Sequence, residues 1–142
     1  MKNRGRSLIL ILIVVVVLGG GGGAFAFLKM KPHQKAKVPE VTFVVALADL
    51  TVNLADKGRS RFLTASLGID LSGEKPEEVA KAREAQIRDA VIMVMSSYSY
   101  PQLLSDAGKK KLKEAIAKAV TEALVEDKTT VKEVLFTNFV MN

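Results

Sequence analysis

Five consecutive glycines, Gly19 to Gly23, followed by Ala24 come nearest to a cofactor-binding pattern in this chain. With the β-branched run before them they satisfy G-x-G-x-x-A, the turn whose bare backbone approaches a dinucleotide pyrophosphate. Such a turn must open a helix long enough to pack on a sheet, and an acid must follow about 20 residues on to hold the ribose. Glu40 stands at a tolerable distance, but residues 24–39 contain Pro32, four lysines and no amphipathic face, so no packing helix is available. The apolar run before the glycines is also long for a strand. The cofactor reading fails on these surroundings, and no cofactor is expected.

The remaining reactive residue types are thinly spread. The absence of cysteine excludes disulfides, thiolate metal sites and cysteine nucleophiles. His33, the single histidine, has no second ligand near it and reads as a solvated side chain. Ser96-Ser97-Tyr98-Ser99-Tyr100 gathers hydroxyls without a neighbouring base and fits the C-terminus of a helix. Glu126-Asp127 is a carboxylate pair in a predicted turn, where water solvates it. No G-x-S-x-G, H-E-x-x-H or phosphate-loop motif occurs. The chain reads as non-enzymatic.

Charge narrows the partners. The formal net charge is +6 over 142 residues, which invites comparison with nucleic-acid binders. Residues 1–40 carry seven bases (Lys2, Arg4, Arg6, Lys29, Lys31, Lys35 and Lys37) against Glu40 alone. Residues 41–142 carry fourteen bases and fourteen acids. The whole excess thus flanks one apolar segment, and no basic face for nucleic acid is demanded of the remainder.

That apolar segment begins at Leu8 and ends at Leu28, 21 residues without a charge or a strong polar group. As a helix it is about 31 Å long, close to the hydrocarbon thickness of a bilayer. In lipid the backbone must satisfy its own hydrogen bonds, which keeps even a glycine-rich end helical. In water each such glycine costs about 1 kcal/mol relative to alanine. Gly19 and Gly23, spaced G-x-x-x-G, would let two such helices approach closely. Ala24-Phe25-Ala26 offers a second reading, a signal-peptidase site that would release a secreted domain. Against it, apolar character resumes through Phe25, Phe27 and Leu28, and lysines follow at once as at a headgroup layer. An uncleaved anchor is expected. Its orientation is left tied by charge, with three bases and the α-amino group before the span and four lysines after it.

Residues 1–7 form a basic head, 8–28 the span, and 29–40 a linker broken by Pro32 and Pro39. Residues 41–142 can bury one small core. Leu50, Val52 and Leu54 alternate with Asp49, Thr51 and Asn53, predicting a half-buried strand over residues 42–54. Residues 56–60 supply turn chemistry, and residues 61–72 resume as a second strand, making a hairpin. Pro76 opens a helix that runs to about Ser97, with Val79, Ile87, Val91, Val94 and Met95 on its apolar face. Glu77–Lys81 and Glu84–Arg88 are predicted surface pairs on that helix. Ser99-Tyr100-Pro101 interrupts. Ser105 or Asp106 caps a second helix reaching about Val125, with Leu112, Ile116, Ala119, Val120, Ala123 and Leu124 as its stripe. Residues 131–141 close as a strand rich in valine and phenylalanine. The predicted class is α+β, in the order β-β-α-α-β.

In this arrangement the chain resembles the FliL family of flagellar basal-body-associated proteins. The likeness rests on a basic head, a single span and a linker before Val52-Asn53-Leu54, then Arg61-Phe62-Leu63 and Ile87-Arg88-Asp89. It continues through Leu104, Gly108-Lys109 and Leu112 to the final Val134-Leu135-Phe136-Thr137-Asn138-Phe139-Val140. Many members end in a valine-glutamine pair, whereas this chain ends in Met141-Asn142. The resemblance implies a bacterial inner-membrane protein with a cytoplasmic N-terminus and a periplasmic domain of stomatin/prohibitin (SPFH)-like fold. It also implies rings of identical subunits around the stator units of the flagellar motor, supporting torque and swimming or swarming, with no catalytic residue or cofactor. Asn53, Leu54, Arg61, Arg88, Asp89, Gly108, Phe136 and Phe139 are the motif residues it singles out. Arg88-Asp89 fits either a structural pair or an intersubunit contact. The other functional class compatible with the residues is a tethered or secreted α+β binding module of the bacterial envelope.

Overall fold

A computed structural model describes residues 40–142. Strand β1 (Val41–Asn53) turns through Gly58, at φ 86°, into β2 (Phe62–Gly73), giving the antiparallel hairpin expected from the alternating pattern. Helices α1 (Pro76–Ala82), α2 (Glu84–Ser96), α3 (Tyr100–Leu103) and α4 (Asp106–Ala123) follow. A 3-10 turn over Val125–Asp127 then leads into β3 (Thr130–Met141), which lies antiparallel to β2. The sheet order is β1-β2-β3, with β2 central. The class is α+β, as predicted.

One face of the sheet carries the core. Leu63, Leu67, Ile69 and Leu71 of β2 are almost wholly buried beneath Ile87, Val91 and Met95 of α2 and Leu112, Ile116 and Val120 of α4. Each large aliphatic side chain removed from water in this way contributes about 1.5–3 kcal/mol. The opposite face exposes Val44, Leu135 and Val140 beside Thr64 and Gly68.

Three bulges shape the sheet. Ala48 and Asp49 together oppose Ser66, with Asp49 at φ 52°. Ser66 holds that bulge from across the ladder: its Oγ accepts from Asp49 N–H at 3.0 Å and donates to Asp49 Oδ1 at 3.4 Å. The extra residue is why both Leu47 and Leu50, three apart, point into the core. On β3 the pairing slips at Lys132 and again at Thr137.

Four expectations need correction. The helix predicted over residues 76–97 is broken at Arg83, whose φ of −112° and ψ of 18° leave the helical region. The apolar stripe lapses at Arg83-Glu84, and the Arg83 guanidinium instead reaches Asp127 at 3.0 Å. Ser99-Tyr100-Pro101 does not simply interrupt; it begins α3, closed by a capping box between Ser99 and Gln102. Glu77–Lys81 pairs at 2.7 Å, but Glu84–Arg88 forms no ion pair among the described residues. The second long helix ends at Ala123, which is exposed rather than part of the buried stripe.

Among the described residues no helix is long and apolar enough to cross a membrane. The expected span at residues 8–28, Gly19 and Gly23 within it, His33 and the linker through residue 39 lie outside the described residues.

Candidate interaction surface

The motif residues fall into three places. At the hairpin end Asn53 is exposed opposite Phe62, and Leu54 is buried with its N–H donated to Arg61 C=O at 2.8 Å. Arg61 lays its guanidinium over the Tyr100 ring, 4.0 Å from the centroid. Tyr100 N–H donates to Asp56 Oδ2 at 2.8 Å, and Ala55 N–H donates to Tyr98 C=O at 2.9 Å. This end of the molecule is a clamp between the hairpin loop and α3.

Arg88 and Asp89 sit in the middle of α2. Neighbours in sequence do not face one another on a helix, and among the described residues neither forms an ion pair. Asp89 is exposed and Arg88 half-buried. The structural-pair reading has no contact behind it here.

Gly108, Phe136 and Phe139 meet where α4 begins above β3. Ser105 caps the helix by accepting from Gly108 N–H at 3.0 Å. A side chain at position 108 would fall on the Gln102 carbonyl, so glycine is what lets α3 and α4 close together. Phe136 and Phe139 are three apart on a strand, a spacing that alternation would send to opposite faces. The bulge at Thr137 returns both to the helix side, where they pack edge to face at 5.0 Å. Lys113 Nζ stands 5.6 Å from the Phe136 centroid and Lys109 Nζ 5.9 Å from that of Phe139. Together with Asp106 and Lys110 these side chains line an open groove of about 420 Å³.

The groove was not foreseen from sequence, although Phe136 and Phe139 were singled out. Its signal was the odd phenylalanine spacing, which a regular strand would split between its two faces. Among the described residues no cluster of histidine, aspartate or glutamate could hold a metal ion.

The domain is thus a small α+β fold with uncovered apolar sheet surface and a basic, aromatic groove. Residues 44–141 match the family model of the flagellar basal body-associated protein FliL, and the chain belongs to that family. It is similar to the flagellar protein FliL of Aquifex aeolicus (strain VF5), 29% identical over 108 residues. That match covers 75% of this chain and 66% of the relative, just under two thirds of its length.

Proposed function

We propose that this chain is a non-enzymatic, membrane-anchored accessory protein of the flagellar motor. It assembles as a ring of identical subunits and associates with the stator units, supporting torque and swimming or swarming. Membership of the FliL family carries this reading, because that family is defined by association with the basal body. Residues 8–28 would hold the protein in inner-membrane lipid, with residues 1–7 cytoplasmic and residues 41–142 periplasmic. The SPFH-like character of the domain belongs to the same proposal.

Two features of the chain support self-association. The fourteen acids and fourteen bases of residues 41–142 cancel, so little long-range repulsion opposes contact between copies. Val44, Phe62, Leu135 and Val140 are each 43–55% exposed, an apolar surface that contact would cover. Tethering to one plane raises the effective concentration of one copy near the next. A repeated head-to-tail contact whose rotation closes then gives a ring.

The test is to image a fluorescent fusion in flagellated cells with and without the stator genes. Foci at flagellar bases that need the stator are expected. Diffuse membrane signal in stator-containing cells would overturn the proposal.

A further inference from the structure

We infer that the groove between α4 and β3 docks an acidic, aromatic-bearing segment of a protein partner. The inference deepens the accessory role above and rests on it for the domain's being a docking module. Of the cations at this site, Lys109 alone has a carboxylate within reach, Asp106 at 3.7 Å, and that carboxylate is 96% exposed. Among the described residues Lys110 and Lys113 form no ion pair. A domain neutral as a whole therefore concentrates unneutralised positive charge along one groove. Charge complementarity calls for carboxylates on the occupant.

The floor calls for something more. Phe136 and Phe139 are half-buried, set back beneath the lysines, and present ring surface at the bottom of the groove. Carboxylates alone have no use for that surface. An aromatic or large apolar side chain inserted between the lysine stems would cover it while its acidic neighbours met the ammonium groups. A recessed floor suits an inserted side chain better than the flat plane of lipid headgroups. The bulge at Thr137 acquires a role here, since it aims both rings into the groove.

The experiment measures binding of short fluorescent peptides to the purified full-length chain in mild detergent. One peptide alternates glutamate and aspartate with phenylalanine, one replaces the acids by glutamine and asparagine, and one replaces phenylalanine by alanine. The first is expected to bind, and the other two to bind about tenfold or more weakly. Lys110→Glu with Lys113→Glu should weaken the first peptide about tenfold, with an unchanged circular dichroism spectrum and melting temperature. Lys111→Glu with Lys118→Glu makes the same charge change on α4 outside the groove lining and should shift binding by less than about threefold. Equal weakening by Lys111→Glu with Lys118→Glu would mean diffuse attraction and overturn the groove. Equal binding of the uncharged peptide would overturn the charge argument. Binding to phosphatidylglycerol vesicles without peptide binding would give the lysines to lipid instead. A wild-type protein that forms stator-dependent foci but binds no peptide defeats this inference alone, whereas peptide binding without foci defeats only the motor assignment.

Discussion

The guanidinium of Arg61 lies 4.0 Å from the centre of the Tyr100 ring, joining the start of β2 to a helix 39 positions later in the chain. Around it the Tyr100 N–H to Asp56 and the Ala55 N–H to Tyr98 bonds close the hairpin loop against α3. Arg61 therefore fixes how the hairpin meets the helical layer.

Replacing it should loosen that end specifically. Arg61→Ala is expected to lower stability by about 1 kcal/mol, and a cycle with Tyr100→Leu to show about 0.5–1 kcal/mol of coupling. Arg61→Lys keeps the charge but not the planar stack and should recover only part of the loss. Urea titrations of wild type, the two single variants and the double variant of the cycle, and Arg61→Lys measure this. Strictly additive effects would remove the contact from the explanation.

Gly108→Ala reverses an ordinary expectation. In an exposed helix interior the change would add about 1 kcal/mol of stability. Here the methyl group meets the Gln102 carbonyl, and a loss of about 2 kcal/mol is expected. Ser105→Ala, which removes the cap alone, should lose about 1 kcal/mol. Thermal melts that rank Gly108→Ala above wild type would contradict the close approach of α3 and α4.

The bulge at Asp49 gives a prediction of tolerance. Asp49→Gly suits φ 52° and should stay within about 0.5 kcal/mol of wild type, while Asp49→Val should lose 1 kcal/mol or about that. Deleting Asp49 leaves Ala48 alone opposite Ser66 and keeps Leu47 and Leu50 on the core face. That deletion should therefore fold, with a melting temperature lowered by less than about 8 °C. Loss of the cooperative transition would show that the bulge is needed for more than register.

Retention of residues 8–28 predicts a mature protein that begins at or near Met1 and stays with membranes through a carbonate wash. A phosphatase reporter after Asn142 should be active, as an exported fusion is. A mature N-terminus at Phe27 would restore the secreted reading.

If paired spans contribute to assembly, leucine at Gly19 and Gly23 should shorten the crosslinked ladder of full-length protein in membranes. An unchanged ladder would place assembly wholly in the folded domain. A protein that remains monomeric in membranes containing the stator would defeat the ring.

The hairpin was legible because its alternation is local and its turn residues leave few choices. The break at Arg83 was not. Backbone bonds run across it, with Arg83 N–H to Val79 C=O and Ile87 N–H to Arg83 C=O, and its long-range partner Asp127 lies 44 residues away. The short helix at Tyr100 did leave a mark in the Ser99…Gln102 spacing, but proline beside it read as an interruption. The groove was the least legible feature. Phe136 and Phe139 stood out singly, but their common face depends on one unpaired residue, and the lysines above them come from a helix more than twenty positions earlier.

Among the described residues β3 is an edge of the sheet, and bare edges invite strands of other copies to add without limit. The slips at Lys132 and Thr137 leave no regular run on β3 longer than four residues. Such a strand offers a neighbour too short a template to propagate cross-β growth. At this edge, crowded copies of the domain would be hindered from zipping into fibres by the same irregularity that aims two phenylalanines at one place.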